Sequence, residues 1–265
     1  MKKFLSFLYI ALILAFIYIP IIILVVYSFN KGKTIGIWEG FSLKWYEKLA
    51  DIKNVLFNTI TLAVVSSLIA TVLGTLGAIG IFYNKKKTGK FIKGLSQIPI
   101  VNSEVVTACA LVLLFIIFRL PHRHIVWLYI GHIILTTPFV VLSVMPKLKQ
   151  MDGSLYEAAL DLGATPTQAL FKVVLPEIMP GVFSGFMLAI TLSLDDYIVT
   201  ATLSPLDFDT VSTAVYKAIA LTTETASQRV PTYRALTTII FLLTVAIVVI
   251  INVKPNKRRK ANENR

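Results

Sequence analysis

Tyr156-Glu157-Ala158-Ala159-Leu160-Asp161-Leu162-Gly163-Ala164-Thr165-Pro166, followed after a short gap by Phe171-Lys172-Val173-Val174-Leu175-Pro176, lies between two long apolar runs. It is neither fully apolar nor merely basic. Asp152 or Ser154 can cap a short helix from about Leu155, Gly163 supplies the permissive backbone that ends it, and Thr165-Pro166 opens a second helix with proline in its first turn. The segment reads as a helix-turn-helix set between apolar spans, and the runs around it decide the fold. A transmembrane helix needs about 20 mostly apolar residues. Stretches of that kind run from Phe4 to Phe29, Val55 to Tyr83, Ile98 to Phe118, Ile125 to Val144, Pro180 to Leu203 and Ala235 to Val253. The expected fold is an all-α polytopic membrane protein with six transmembrane helices. Its divisions are residues 1–54 (first helix and outer loop), 55–253 (a five-helix core with the central loop at about 150–178) and 254–265 (a basic tail).

The composition agrees: 56% of the 265 residues are hydrophobic and 15% are charged, so the solvent of this chain is lipid. A net charge of +12 raises the question of nucleic acid. The basic residues, however, flank the apolar runs, where they anchor helices and set topology, and nucleic acid is not an expected partner. The N-terminus, Lys85 to Lys93, the loop from Lys147 and the tail hold 16 of the 26 Lys and Arg, which places both termini in the cytoplasm. Met1-Lys2-Lys3 and the run behind it imitate a signal peptide. The run is too long for one and ends in Tyr27-Ser28-Phe29-Asn30 with no small-residue cleavage site, so it reads as a retained first helix. Cys109 has no second cysteine to bond with and reads as a packing residue.

The loop after the first span carries Trp38, Phe41, Trp45 and Tyr46, which suits a short helix at the lipid headgroup level. Ser66, Ala70, Gly74 and Ala78 in the second span, and Gly181, Gly185, Ala189 and Ser193 in the fifth, form ridges of small residues that let helices approach closely. No phosphate-binding loop of the Gly-x-x-x-x-Gly-Lys-Ser/Thr type occurs; Gly32-Lys33-Thr34 has Tyr27 where the leading glycine would stand. Any ATP that drives this chain is bound by a partner.

Acidic residues inside apolar spans are costly and usually functional. Glu104 lies in the third span, and Asp195 and Asp196 in the fifth. With no Lys or Arg inside any span, these carboxylates suit a cation as cargo. On a continuous helix Ser184, Thr191, Asp195 and Thr202 share one stripe, whereas Asp196 falls on the ridge of small residues. Asp195 therefore reads as a pathway residue and Asp196 as an interface residue, with Tyr197 offering a ring face to an alkylammonium.

Glu157, Ala158, Ala159, Gly163, Val173, Leu175 and Pro176 resemble the "EAA" loop of ATP-binding-cassette importer permeases, with Val173 where isoleucine is commoner. The resemblance implies the type I importer transmembrane fold and a coupling helix that docks on an ATPase subunit. Tyr18-Ile19-Pro20-Ile21-Ile22-Ile23, Tyr27-Ser28-Phe29-Asn30, Gly40-Phe41-Ser42-Leu43-Lys44-Trp45-Tyr46 and Leu192-Ser193-Leu194-Asp195-Asp196 resemble the permeases of spermidine/putrescine importers. One departure is Asn102-Ser103 before Glu104, where that family has Pro-Asp. This second resemblance implies a non-catalytic subunit of the bacterial cytoplasmic membrane, surrounded by lipid. Its implied partners are a second homologous permease, two cytoplasmic ATPase subunits that bind ATP and Mg, and an extracellular polyamine-binding protein. The alternatives are a permease of the same class for a sugar or metal ion, or a self-contained secondary carrier.

Overall fold

The computed structural model describes residues 2–33, 36–84, 94, 100–120, 123–220 and 229–253. The basic tail 254–265, the basic loop 85–93 and the first residues of the third span lie outside them. The order is α1 (Lys2–Ser28), α2 (Lys44–Glu47) running into a 3-10 turn (Lys48–Ile52), α3 (Lys53–Tyr83), α4 (Glu104–Ile117), α5 (Ile125–Gln150), α6 (Ser154–Asp161) and α7 (Pro166–Ala169). A π-helical turn (Leu170–Val174), α8 (Leu175–Asp195), α9 (Ile198–Leu203), α10 (Val211–Ala220) and α11 (Val230–Val253) complete it. Among the described residues the only extended pairing is an isolated antiparallel bridge between Asn30 and Phe41. Phe7–Ser28, Lys44–Tyr83, Ile125–Gln150 and Pro166–Asp195 are long and apolar enough to cross a membrane, and Glu104–Ile117 and Val230–Leu242 are shorter apolar helices.

The chain forms two compact units: Asn54–Ala214, and Met1–Lys53 together with Val215–Arg265. In the first unit α5 is the central post. Leu128, His132, Thr136, Val140, Val144 and Leu148 are fully buried along it at intervals of four residues, the spacing of one helix face. The two ridges of small residues pack against this post. A Cβ on Gly74 would stand 2.7 Å from Val140 Cβ, one on Gly185 3.1 Å from Val140 Cγ1, and one on Gly181 2.8 Å from Lys147 Cγ. Val140 thus fills the notch in both ridges, and close approach supplies the dispersion contacts that hold helices together in lipid.

In the second unit α1 packs on α11, while Phe7, Phe16 and most other apolar side chains of α1 are exposed, a surface for lipid. The loop behind α1 is tied by Asn30, which is fully buried. Its Nδ2 donates to Ile37 O (2.7 Å), and its Oδ1 accepts from the N–H groups of Gly32 (3.2 Å) and Glu39 (2.9 Å). Lys31 N–H donates to Gly40 O and Ser42 N–H to Phe29 O. Trp45 is buried and donates from its indole N–H to Asn30 O (2.9 Å), and the Phe29 ring stacks on those of Phe41 and Tyr46. Two of the family-like motifs, residues 27–30 and 40–46, are therefore the two sides of one staple.

Three expectations are corrected. The fifth span was expected as one helix from Pro180 to Leu203. Instead α8 begins at Leu175, takes Pro180 within it and stops at Asp195, and Asp196 is extended (φ −63°, ψ 124°) before α9 starts. Thr202 therefore does not continue the stripe of Ser184, Thr191 and Asp195. The cause is local: the Asp196 side chain captures the first N–H groups of α9, and such side-chain bonds compete with the helical ladder. The sixth helix begins at Val230 and not at Ala235, which puts the buried Arg234 inside it, against the expectation that no span holds Lys or Arg. Glu104 stands at the first position of α4, not within a longer span, with Ser103 Oγ accepting the Val106 N–H (3.4 Å).

Candidate functional site

Two features carry the chemistry. The first is the loop 151–174. Asp152 Oδ1 accepts the Ser154 N–H (3.0 Å), and hydrogen bonds from Ser154 hold this carboxyl below the ordinary carboxylate range. Helix α6 follows and buries none of its residues. Glu157 and Ala158 are exposed and Ala159 half-buried, while Tyr156 on the other face meets the Tyr83 ring at 5.1 Å. Gly163 has φ +85°. Its N–H donates to Leu160 O (2.9 Å), and that of Ala164 to Ala159 O (3.0 Å), the paired bonds of a left-handed helix stop. Thr165 and Gln168 then cap each other reciprocally, with Pro166 at the first helical position. Ahead of Pro176, which has no N–H for the ladder, the backbone widens to π bonding. Leu175 is half-buried and Pro176 exposed.

The result is a short helix whose outer face, with Glu157, Ala158 and the 89% exposed Leu162, is uncovered among the described residues. Small side chains beside an exposed carboxylate make a surface that a groove with a basic residue can accept.

The second feature is the break between α8 and α9. Asp196 is buried, with Oδ1 accepting from Val199 N–H (3.2 Å) and Oδ2 from Thr200 N–H (2.8 Å) and Thr200 Oγ1 (2.8 Å). The His132 ring from α5 sits against it, with Nε2 3.0 Å from Thr200 Oγ1 and 3.5 Å from Asp196 Oδ2, and Nδ1 2.7 Å from Ser193 Oγ. Ser193 Oγ lies 3.2 Å from Ser66 Oγ of α3. Helices α3, α5, α8 and α9 thus meet at one buried polar cluster. Close packing admits α9: a Cβ on Gly131 would stand 2.7 Å from Leu203 Cδ1.

Around this cluster the expected pathway residues separate. Asp195, the last residue of α8, is exposed with Ser184 and Thr191 on the same face. Glu104 is exposed and close enough to both Asp196 and Asp195 for like-charge repulsion. With Asn102 and Ser103 it lines a cavity of about 390 Å³ whose wall includes Leu192 and Ile198, on either side of the break. Tyr197 lines a different cavity of about 400 Å³ with Arg123 and Thr202. Asp196 reaches neither cavity wall. His132 was missed by the sequence reading, which counted only Lys and Arg as counter-groups. A lone ionisable residue midway along an apolar span was the available signal.

An all-helical bundle with apolar spans, an exposed helix-turn-helix and polar groups at a broken span has the make-up of a transport permease. Residues 70–259 match the family described as binding-protein-dependent transport system inner membrane component, and the chain belongs to that family. It is 32% identical to the putrescine transport system permease protein PotI of Escherichia coli (strain K12) over 209 residues, 75% of this chain and 74% of that protein. It is 31% identical to the spermidine/putrescine transport system permease protein PotC of the same organism over 244 residues, 91% of this chain and 89% of that protein. Among solved structures it resembles a bacterial ABC transporter involved in the import of the acidic polysaccharide alginate, at a TM-score of 0.70 and 20% identity, covering 97% of this chain and 96% of that one. The expected all-α ABC permease fold is the one found.

Proposed function

We propose that this chain is the permease subunit of an ATP-driven polyamine importer, of the spermidine/putrescine kind, and forms half of the translocation path beside a second homologous permease. The loop 151–174 faces the cytoplasm in this reading. Helix α6 docks through Glu157, Ala158 and Ala159 on one of two ATPase subunits, with Gly163, Leu175 and Pro176 shaping its approach. Those partners bind ATP and Mg; this chain supplies no catalytic group. An extracellular binding protein delivers the polyamine.

The observation that carries the substrate class is that Glu104, on the cavity wall, lies near enough to the adjacent Asp195 and Asp196 at the break for their carboxylates to repel one another. Asp196 is committed to helix capping and His132, which leaves Glu104 and Asp195 to compensate an ammonium group as it leaves water, while Tyr197 lines the neighbouring cavity. The permeases PotI and PotC, named for putrescine and spermidine/putrescine transport, support the same choice. Fold alone does not select the cargo, because an alginate importer shares it. The test is uptake of labelled spermidine by the reconstituted assembly, competed with putrescine, sugars and divalent metal ions. Competition by putrescine alone is expected; displacement by a sugar or a metal ion, with putrescine inert, would refute the reading.

A further inference from the structure

We propose that His132 is a positioning residue of the transport path: by donating from Nε2 to Thr200 while meeting Ser193 through Nδ1, it locks the break between α8 and α9 whose two sides, at Leu192 and Ile198, wall the Glu104 cavity. The role of that cavity in the path rests on the function proposed above; the direction of the hydrogen bonds does not.

That direction follows from counting hydrogens. Two backbone N–H groups, of Val199 and Thr200, point at the Asp196 carboxylate and fix it as an acceptor. The single hydroxyl hydrogen of Thr200 is then committed to Asp196 Oδ2 at 2.8 Å. What Thr200 Oγ1 offers to His132 Nε2 at 3.0 Å is a lone pair, so Nε2 must carry the proton. On the opposite side of the ring, Nδ1 lies 2.7 Å from Ser193 Oγ.

Ser193 belongs to the last turn of α8 and Thr200 to the first of α9. One rigid, fully buried imidazole therefore spans the interruption and fixes the spacing of its two ends. On α5 the backbone carbonyl of His132 also accepts from Thr136 Oγ1 (2.7 Å). Without the Nε2 donor, Thr200 Oγ1 keeps a buried lone pair unserved. The Asp196 cap weakens, and α8 can wind on through residues 196–197, which turns Asp196 to another face and moves Ile198 on the cavity wall.

Side chains that copy one nitrogen at a time make this testable. Glutamine places an amide donor near the position of Nε2, asparagine reaches only that of Nδ1, and leucine fills similar volume with neither. The complex carrying His132→Gln, His132→Asn or His132→Leu is purified, assembly is checked by gel filtration, and spermidine moved per ATP hydrolysed is measured in proteoliposomes. Glutamine is expected to retain most of this ratio, and asparagine and leucine to lower it by at least about tenfold at unchanged assembly. Equal losses in the glutamine and asparagine variants overturn the proposal.

Nitrogen-15 spectra of the wild-type complex, with the His132 signal assigned by its loss in His132→Gln, decide the hydrogen-bond direction without any functional variant. A protonated Nε2 is expected, and a bare Nε2 beside a protonated Nδ1 overturns it. Normal uptake by Asp195→Asn with the glutamine-over-asparagine order intact removes the polyamine-path reading but leaves His132 as the lock of the break.

Discussion

Replacing Gly163 isolates one physical quantity, the cost of a left-handed backbone at the end of α6. Its φ is +85°, and a Cβ built there meets nothing within 4 Å, so a side chain adds strain without collision. For an ordinary L-residue this conformation costs about 1–2 kcal/mol, and asparagine tolerates it best. Because α6 buries none of its own residues, little packing compensates a disturbed stop; the bonds of Gly163 and Ala164 and the Tyr156 contact hold its direction. A loss of that size shifts the balance between the ordered and frayed loop by a factor of roughly 5–30.

Gly163→Asn is therefore expected near wild type, Gly163→Ala intermediate and Gly163→Val lowest, in both ATP-driven uptake and recovery of the ATPase with the purified membrane subunits. Membrane insertion should be equal in all three. Wild-type behaviour of the valine variant would refute the reasoning. So would an asparagine variant as poor as the valine one, since that would point to a blocked surface and not to backbone strain.

Gly74→Ala should destabilise the purified complex, because a Cβ 2.7 Å from Val140 Cβ and 3.0 Å from Thr137 O imposes overpacking of about 1–3 kcal/mol. Gly77→Ala, whose nearest neighbour is 3.9 Å away, should gain up to ~1 kcal/mol of helix propensity; thermal denaturation in detergent compares the two, and equal shifts would contradict the packing described. Glu157→Lys reverses an exposed charge on α6 and should reduce ATPase co-purification and uptake together with the bundle intact; undiminished transport would place the docking contact elsewhere. Asp195→Asn should assemble normally and lose polyamine uptake. Asp196→Asn puts an amide where two N–H donors point and should lower thermal stability by ~1–3 kcal/mol; uptake per assembled complex separates these outcomes, and a reversed pattern would refute the assignment of faces.

The apolar spans, the two ridges and the helix-turn-helix with its stop at Gly163 were legible because each depends on residues close in sequence: period, caps and one glycine. Asp196 was read as an interface residue on a continuous helix, and it stands buried at a break between two helices. Adjacent acidic residues at the end of an apolar run give no local sign of which one will turn back to cap the next turn. The His132 ring that meets this cap is distant in sequence and invisible to a count of Lys and Arg. The staple between residues 27–30 and 40–46 was noticed only as two motifs, since what joins them is the Asn30 side chain reaching backbone groups up to nine residues away.

Pro166–Asp195 is a single uninterrupted helical segment of 30 residues, and this gives the molecule a mechanical property. At 1.5 Å per residue the segment is about 45 Å long, with the stop at Gly163 just outside one end and Asp195 at the other. A tilt of ~5° about one end displaces the other by ~4 Å, more than the length of a hydrogen bond. The π turn at Leu170–Val174 lies near the base of this lever. A push delivered at the Gly163 end reaches the carboxylate at the other only as far as this turn resists bending.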